Sequence, residues 1–231
     1  MKSNYNDVID LLLTIVDNEE VRKSILICGS IVPYIILGEE SKEYHNDLYV
    51  YVKRNKMDLV RKEIIKLSKK YELDIVSDTK KLGKYEFGFK IKYEDTIIGF
   101  FPYTLINNKL TVKTYRVNTD EKKIEYKTKV LEEINKEDII RSVMLSDKAI
   151  RIISPEYLLV DLEQKGELHN KTYIKRLANI SDNSKIVKLR LSHSNIKVDL
   201  ENRNMVEKTP FLNVLIVLLF LILLIVGIIC I

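Results

Sequence analysis

The sequence predicts an α/β (α+β) chain: a mixed β-sheet followed by a helical segment, plus one C-terminal transmembrane helix. Three observations predict this class. Apolar residues recur at helical spacing over residues 5–16 and 57–71. Short runs with alternating or continuous apolar residues, typical of strands, fill most of residues 24–130. The last 21 residues carry no charge.

The composition fits one moderate domain with additions. The chain has 231 residues, is 46% hydrophobic and carries a formal net charge of +5, so it holds enough apolar residues for a core. The mild basic excess is compatible with nucleic acid, an anionic membrane surface or ordinary solubility. The two cysteines and three histidines follow no metal-ligand spacing and predict no disulfide framework.

The first predicted elements are a helix, a strand and a second helix. The helical spacing over residues 5–16 gives the first helix. The apolar run SILIC, which leads into Gly29 and Ser30, predicts a buried strand. The next run, IVPYIILGEE, predicts a helix because Pro33 falls in its first turn, where a missing N–H is tolerated. Gly38 suits the C-terminal end of that helix.

Alternation predicts the next strand. In the run DLYVYVK, Asp47, Tyr49 and Tyr51 face one side, and the apolar residues between them face the other. An amphipathic helix follows over residues 57–71. Five strand-like runs come next: LDIVS, YEFGFKIKY, TIIGFFPYTL, KLTVKTYRV and KKIEYKTKV.

The remaining soluble part is predicted to be mostly helical and then irregular. Ser154 and Pro155 suit the N-cap and first position of one helix. After residue 180 the chain is polar and lacks a clear period, so we expect a tether. The predicted organisation is a soluble domain (1–180, with the sheet in about 1–130 and helices in about 136–180), a polar tether (181–209) and a membrane anchor (210–231).

The C-terminal run PFLNVLIVLLFLILLIVGIICI predicts a membrane-spanning helix. It extends without a charge from Phe211 to Ile231, through Leu218 and Ile225. At about 1.5 Å per residue, it spans about 30 Å, the thickness of the hydrocarbon core of a bilayer. A buried helix of a soluble protein is seldom apolar on every side for this length.

The charges outside the anchor predict its orientation. Basic residues between about 185 and 208 precede the apolar run and favour the cytoplasmic side. The N-terminus lacks the basic region of a signal peptide. The sequence therefore predicts a single-pass, tail-anchored protein whose domain faces the cytosol and whose first partner is the lipid bilayer.

The order of motifs resembles the nucleotidyltransferase (polymerase β-like) fold family. The stretches ICGSIVPYIILG, YHNDLYVYV and ISPEYLLVDLEQKGELHNKTYIKRL are similar to the branch that contains the AbiEii-type toxin and related minimal nucleotidyltransferases. The resemblance covers about residues 24–180. It implies a mixed sheet with a following helical element. Gly29, Ser30 and Asp47 are candidates to bind a nucleotide together with its Mg²⁺, although no cofactor is firmly predicted. Gly29 and Ser30 fit equally well as a turn that only needs small residues.

This sequence departs from the family at the metal-binding acids. In the family, Mg²⁺ ions are held by an Asp-x-Asp pair on one strand and a third acid on a neighbouring strand. Asp47 matches the first acid, but Tyr49, a poor Mg²⁺ ligand at neutral pH, occupies the second. The third falls at Gly99 or Phe100. The resemblance therefore predicts a vestigial site at Asp47 and Tyr49, with at most Asp47 as a metal ligand and no catalytic residue.

Three functions stay open from the sequence. The first is a catalytically inactive binding or regulatory domain at a membrane. The second is an active, toxin-like, Mg²⁺-dependent nucleotidyltransferase with a reduced metal site. The third is a structural or assembly component of a cellular or viral membrane. A protein partner fits the first and third, and nucleic acid is the weaker alternative.

Two surface patterns also have more than one interpretation. The basic run VKRNKMDLVRKEIIKLSKK can face solvent, anionic lipid or nucleic acid, and solvent is favoured. A cluster of six aromatic residues can form a packed core or a stacking platform: Tyr85, Phe87, Phe89, Phe100, Phe101 and Tyr103. Their alternation on neighbouring strands favours the core.

Overall fold

A computed structural model describes residues 5–37, 47–81, 87–118, 120–121, 123–165, 171–193 and 196–204. These residues form a mixed α/β fold around one ten-stranded sheet. The helices are α1 (Tyr5–Ile15), α2 (Glu19–Arg22), α3 (Val32–Leu37), α4 (Met57–Tyr71), α5 (Lys136–Ile139), α6 (Pro155–Lys165), α7 (Lys171–Ile180) and α8 (Asn183–His193), with a 3-10 turn at Arg54–Lys56. The strands are β1 (Ile25–Gly29), β2 (Asp47–Lys53), β3 (Asp74–Asp78), β4 (Phe89–Tyr93), β5 (Thr96–Ile106), β6 (Lys109–Asn118), β7 (Lys123–Leu131), β8 (Ile140–Leu145), β9 (Lys148–Ile153) and β10 (Lys197–Asn204).

The sheet is mixed, and β5 lies near its centre. Its main path runs β10-β7-β6-β5-β2-β1-β9-β8. Strand β5 pairs in parallel with β2 along one edge. Along its other edge it pairs antiparallel with β4 first and then with β6. Strand β1 pairs antiparallel with β2 and in parallel with β9. Strands β1 and β2, which precede and follow the Gly-Ser turn and α3 in the sequence, are therefore neighbours in the sheet.

The main core lies where β2, β4 and β5 meet the first helices. Val50 and Phe100 are fully buried and belong to the same cluster as Leu11 of α1 and Ile64 of α4. The rings of Phe89 and Phe100 stack with centroids 4.9 Å apart. The apolar faces of α1 and α4 thus cover the apolar side of the alternating strands, as the sequence predicts.

The segment predicted to be mostly helical, 136–180, contains a β-hairpin instead over residues 140–153. Strands β8 and β9 pair antiparallel across a turn at Ser146. Strand β9 also adds to the sheet beside β1, with Ile27 opposite Ile152. The helix predicted at Ser154 is confirmed, because α6 begins at Pro155 and the Tyr157 amide donates a hydrogen bond to the Ser154 Oγ at 3.2 Å.

The prediction of a tether over 181–209 is wrong for its described part. Helix α8 packs on α6 with Ile186 and Leu189 buried. Its Arg190 donates two hydrogen bonds to the Glu163 carboxylate, at 3.0 and 2.7 Å. Strand β10 then pairs with β7 over its whole length. The sheet therefore extends beyond residue 130. The polar sequence of β10 gives no strand signal, because β10 joins the sheet through its backbone hydrogen bonds to β7.

The predicted membrane anchor at 210–231, with Phe211, Leu218, Ile225 and Ile231, lies outside the described residues. Within the described part of the chain, no helix is both long enough and apolar enough to cross a bilayer.

Candidate functional site

The Gly-Ser turn lies at the end of β1, beside the start of β2. Gly29 is opposite Leu48 in the ladder and has a φ of 89°, in the left-handed region that favours glycine. Its carbonyl oxygen accepts a hydrogen bond from the Tyr173 hydroxyl of α7 at 3.1 Å. The backbone conformation explains the glycine. Nucleotide contact by Gly29 and Ser30 stays a prediction.

The register of β2 and β5 identifies which positions share the sheet face of the predicted metal site. Tyr49 lies opposite Gly99, and Asp47 lies opposite Ile97. Paired residues on neighbouring strands face the same side, so Tyr49 and Gly99 share one face. Phe100 is fully buried in the main core on the other side. Of the two positions predicted for a third acid, only Gly99 is therefore on the face of Tyr49.

Aromatic rings cover this face. The face cluster consists of five buried residues with Tyr49, Tyr51 and Val117 packed against them: Phe87, Phe101, Tyr115, Ile124 and Tyr126. The Tyr49 and Phe101 rings have centroids 5.6 Å apart, and the Tyr115 ring meets Phe101 edge-on at 5.9 Å. A Cβ at Gly99 would lie 2.4 Å from the Phe101 ring. Phe101 thus occupies the space of a side chain at position 99.

Helix α6 contributes polar residues to the same side of the sheet. Asp161 and Lys129 of β7 form an ion pair whose side chains are largely buried. The Lys129 ammonium also lies 5.2 Å from the centre of the Tyr157 ring. No local sequence pattern singles out Asp161 as a site residue, because its position beside the sheet depends on the packing of α6. Its partner Lys129 neutralises it.

Burial determines the ionisation of the tyrosines in this region. It raises the pKa of Tyr51 well above its usual range, and the nearby Cys28 and Tyr157 groups add to this effect. Burial likewise raises the pKa of Tyr157, with Asp161 as the next cause. These phenols stay protonated at neutral pH and offer no phenolate to a metal ion. Among the described residues, no group of three His, Cys, Asp or Glu side chains is placed to bind a metal.

The aromatic segment is part of the interior, as the sequence favours. Phe89, Phe100 and Tyr103 are buried in the main core, while Phe87 and Phe101 are buried in the face cluster. Stacking on nucleic-acid bases needs accessible ring faces. The packed-core interpretation is therefore confirmed for these five residues.

One residue of the basic run, Arg61, has a structural role. Arg61 of α4 donates to the carboxylates of Asp58 at 2.9 Å and Asp78 at 3.1 Å. Its guanidinium also lies 4.9 Å from the centre of the Phe89 ring. Other lysines of α4 are exposed, among them Lys62. Arg61 holds the helix against β3 and β4, whereas the exposed lysines remain compatible with solvent, anionic lipid or nucleic acid.

Comparison with known proteins leaves the family unassigned. No family model and no curated protein matches this chain. Among solved structures, the antibiotic-resistance factor ANT(2'')-Ia in solution is similar at 12% identity, 82% coverage of this chain, 92% of that chain and a TM-score of 0.49. The lincosamide antibiotic adenylyltransferase LnuA with bound lincomycin is similar at 18% identity, with coverage of 78% of this chain and 100% of that chain and a TM-score of 0.47. ANT(2'')-Ia in complex with adenylyl-2''-tobramycin is similar at 12% identity, with coverage of 81% of this chain and 97% of that chain and a TM-score of 0.48. At these values, the similarity assigns neither a family nor an activity.

Proposed function

We propose that this chain is a tail-anchored membrane protein with a nucleotidyltransferase-like domain. The domain faces the cytosol as a binding or regulatory module and does not carry out Mg²⁺-dependent nucleotidyl transfer. The observation that carries the proposal is the Phe101 ring over Gly99 and against Tyr49.

The topology supports the nucleotidyltransferase-like part of the proposal. Strand β1 ends at Gly29, a turn leads into α3, and β2 begins at Asp47 as the antiparallel neighbour of β1. Strand β5, which would supply the third acid, lies in parallel beside β2. This is the order and strand arrangement that the motif resemblance implies.

Packing at the site supports the loss of transfer. Mg²⁺ prefers oxygen ligands in octahedral geometry and keeps several waters. At position 49 the chain presents an aromatic ring, and at position 99 a neighbouring ring fills the available space. A divalent ion at such a wall would lose hydration without gaining carboxylate oxygens, which is unfavourable. Asp47 remains as the match to the first acid.

A nucleotide titration tests this part. Full-length protein in detergent is melted with each of ATP, CTP, GTP and UTP, with and without Mg²⁺, and incubated with radiolabelled NTPs to detect transfer. We expect no Mg²⁺-dependent stabilisation that requires Asp47 and no transfer. A ligand at 100 times its Kd would stabilise the fold by about 2.7 kcal/mol, so binding of useful strength is readily detected.

Asp47→Ala and Asp120→Ala provide the matched comparison, since Asp120 is an exposed acid in the turn after β6. A transfer product that is lost in Asp47→Ala and kept in Asp120→Ala would contradict the proposal. That result would favour an active nucleotidyltransferase with a reduced metal site.

The anchoring part rests on the uncharged sequence from Phe211 to Ile231. Lys at the centre of a membrane helix costs about 3 kcal/mol on insertion scales. We therefore expect Leu218→Lys/Ile225→Lys to release the chain from carbonate-washed membranes, and Leu218→Val/Ile225→Val to leave it bound. Equal extraction of both variants and the wild type would contradict anchoring by this segment.

A further inference from the structure

A basic cleft opens at the end of β2 and β5 opposite to the predicted nucleotide site. It has a volume of about 830 Å³ and is bordered by the end of β2, the β5–β6 turn, α5 and β9. Lys53 and Tyr103 mark where β2 and β5 enter it. Asp47 lies six residues before Lys53, which is about 20 Å along an extended strand. The cleft is therefore separate from the Gly29–Asp47 region.

The charge of the cleft has one sign. Four cationic residues line it: Lys53, Arg54, Lys136 and Arg151. None of the described residues that line it is an aspartate or a glutamate. A concave surface with charge of one sign concentrates the electric field and favours counter-ions of the opposite charge.

Arg151 is held in place in the wall of this cleft. Its guanidinium donates hydrogen bonds to the backbone carbonyl oxygens of Lys23 and Ile25, the latter at 3.4 Å. Burial raises the pKa of Tyr103, and the Arg151 charge lies close enough to this phenol to oppose that rise. A planar guanidinium that is already oriented loses little conformational freedom when it meets a phosphate.

The cations of the cleft repel one another. The pKa of Lys53 is lowered, first by partial burial and then by the charges of Arg151, Lys136 and Lys56. Repulsion of this kind is relieved when an anion enters between the charges. Lys53 and Lys136 are both exposed at their side chains, so they can move to contact a ligand.

The rest of the lining suits an organic ligand. Tyr103, Leu105 and Ile140 provide apolar surface beside the cations, and Asn107 provides an amide. Ligand pockets typically have volumes of about 300–1,000 Å³ and combine apolar walls with a few polar groups. From the charge, the fixed guanidinium and the size together, we infer that this cleft binds a phosphate-bearing small molecule. The inference does not depend on the proposed function.

The test is a titration of full-length protein in detergent with two probes, in the presence of EDTA. Tripolyphosphate represents a free phosphate chain, and a short-chain, water-soluble phosphoinositide represents a lipid headgroup. The cleft variant is Lys53→Gln/Lys136→Gln. The matched control, Lys62→Gln/Lys175→Gln, removes two exposed lysines of α4 and α7 and changes the net charge equally.

We expect the cleft variant to bind at least about tenfold more weakly, because two charge-assisted contacts to the phosphate groups are removed. The control should bind within about twofold of the wild type at the same ionic strength. The tighter of the two probes identifies the source of the phosphate. Binding of neither probe, or equal weakening in both double variants, would overturn the inference.

Both double variants should melt at the temperature of the wild type, because all four substituted side chains are exposed. Asp47→Ala distinguishes this inference from the proposed function. Binding in the cleft needs no Mg²⁺ and is expected to survive that substitution, whereas binding at the nucleotide site would not.

Discussion

Gly99→Asp is expected to lower the free energy of unfolding by about 3 kcal/mol or more and to restore no Mg²⁺-dependent transfer. The substitution returns an acid to the third position of the nucleotidyltransferase pattern. However, a Cβ at this position would lie 2.4 and 2.7 Å from two atoms of the Phe101 ring and 3.3 Å from Tyr49. The Phe101 side chain is buried between Tyr49 and Tyr115, so the ring cannot turn away without displacing them.

Two further variants separate the causes. Gly99→Ala adds only the Cβ, and its loss of stability, measured by urea unfolding, gives the steric part. The additional loss in Gly99→Asp gives the cost of burying a carboxylate beside aromatic rings. In a Phe101→Leu background, Gly99→Ala should cost less than in the wild type. A Gly99→Ala protein as stable as the wild type would show that the Phe101 ring does not close this face.

Arg61→Met is expected to destabilise the domain by about 3–5 kcal/mol, the usual result of removing one partner of a buried ion pair. The Asp78 side chain is 5% exposed and the Arg61 side chain 12% exposed. Without the guanidinium, Asp78 keeps the Lys80 backbone amide at 3.0 Å but loses the positive charge that offsets its burial. The contact of Arg61 with the Phe89 ring is lost as well.

The exposed partner of Arg61 supplies the control. Asp58 is 71% exposed, so Asp58→Asn should change stability by less than about 1 kcal/mol. Asp78→Asn in the Arg61→Met background removes the uncompensated charge and should recover part of the loss. If the changes in the free energy of unfolding caused by Arg61→Met and Asp78→Asn simply add in the double variant, the two side chains do not act as a pair.

The sequence predicts those elements whose evidence is local. The alternation in DLYVYVK gives β2 (Asp47–Lys53), and the helical spacing over 57–71 gives α4 with both ends correct. Ser154 predicts the start of α6 because a cap and the first helical turn are neighbours in sequence. These features depend on residues within a few positions of one another.

Elements that depend on distant partners were missed. The polar β10 is a strand because β7 offers it an edge. Strands β8 and β9 are a different case, because they pair with each other across a short turn. The sequence prediction misses this local hairpin, and only its attachment to the sheet depends on β1. At the candidate site, the sequence identified Asp47 and Tyr49 but left Gly99 and Phe100 as alternatives. Only the strand register selects Gly99. The cover of aromatic rings follows from contacts between β2, β5, β6 and β7, which no spacing in the sequence encodes.

The pairing of β10 at the edge of the sheet has a mechanical consequence. Only six residues, 205–210, separate Asn204 from the uncharged C-terminal run, and they extend to at most about 20 Å. Under the proposed anchoring of that run in a bilayer, the short connection would keep the domain within about its own width of the lipid surface. A force transmitted from the anchor would enter the sheet at the C-terminal end of β10, where Asn204 pairs with Lys123. Under a force directed across the strands, the pairs of β10 and β7 would open one after another from that end, before the rest of the sheet is loaded.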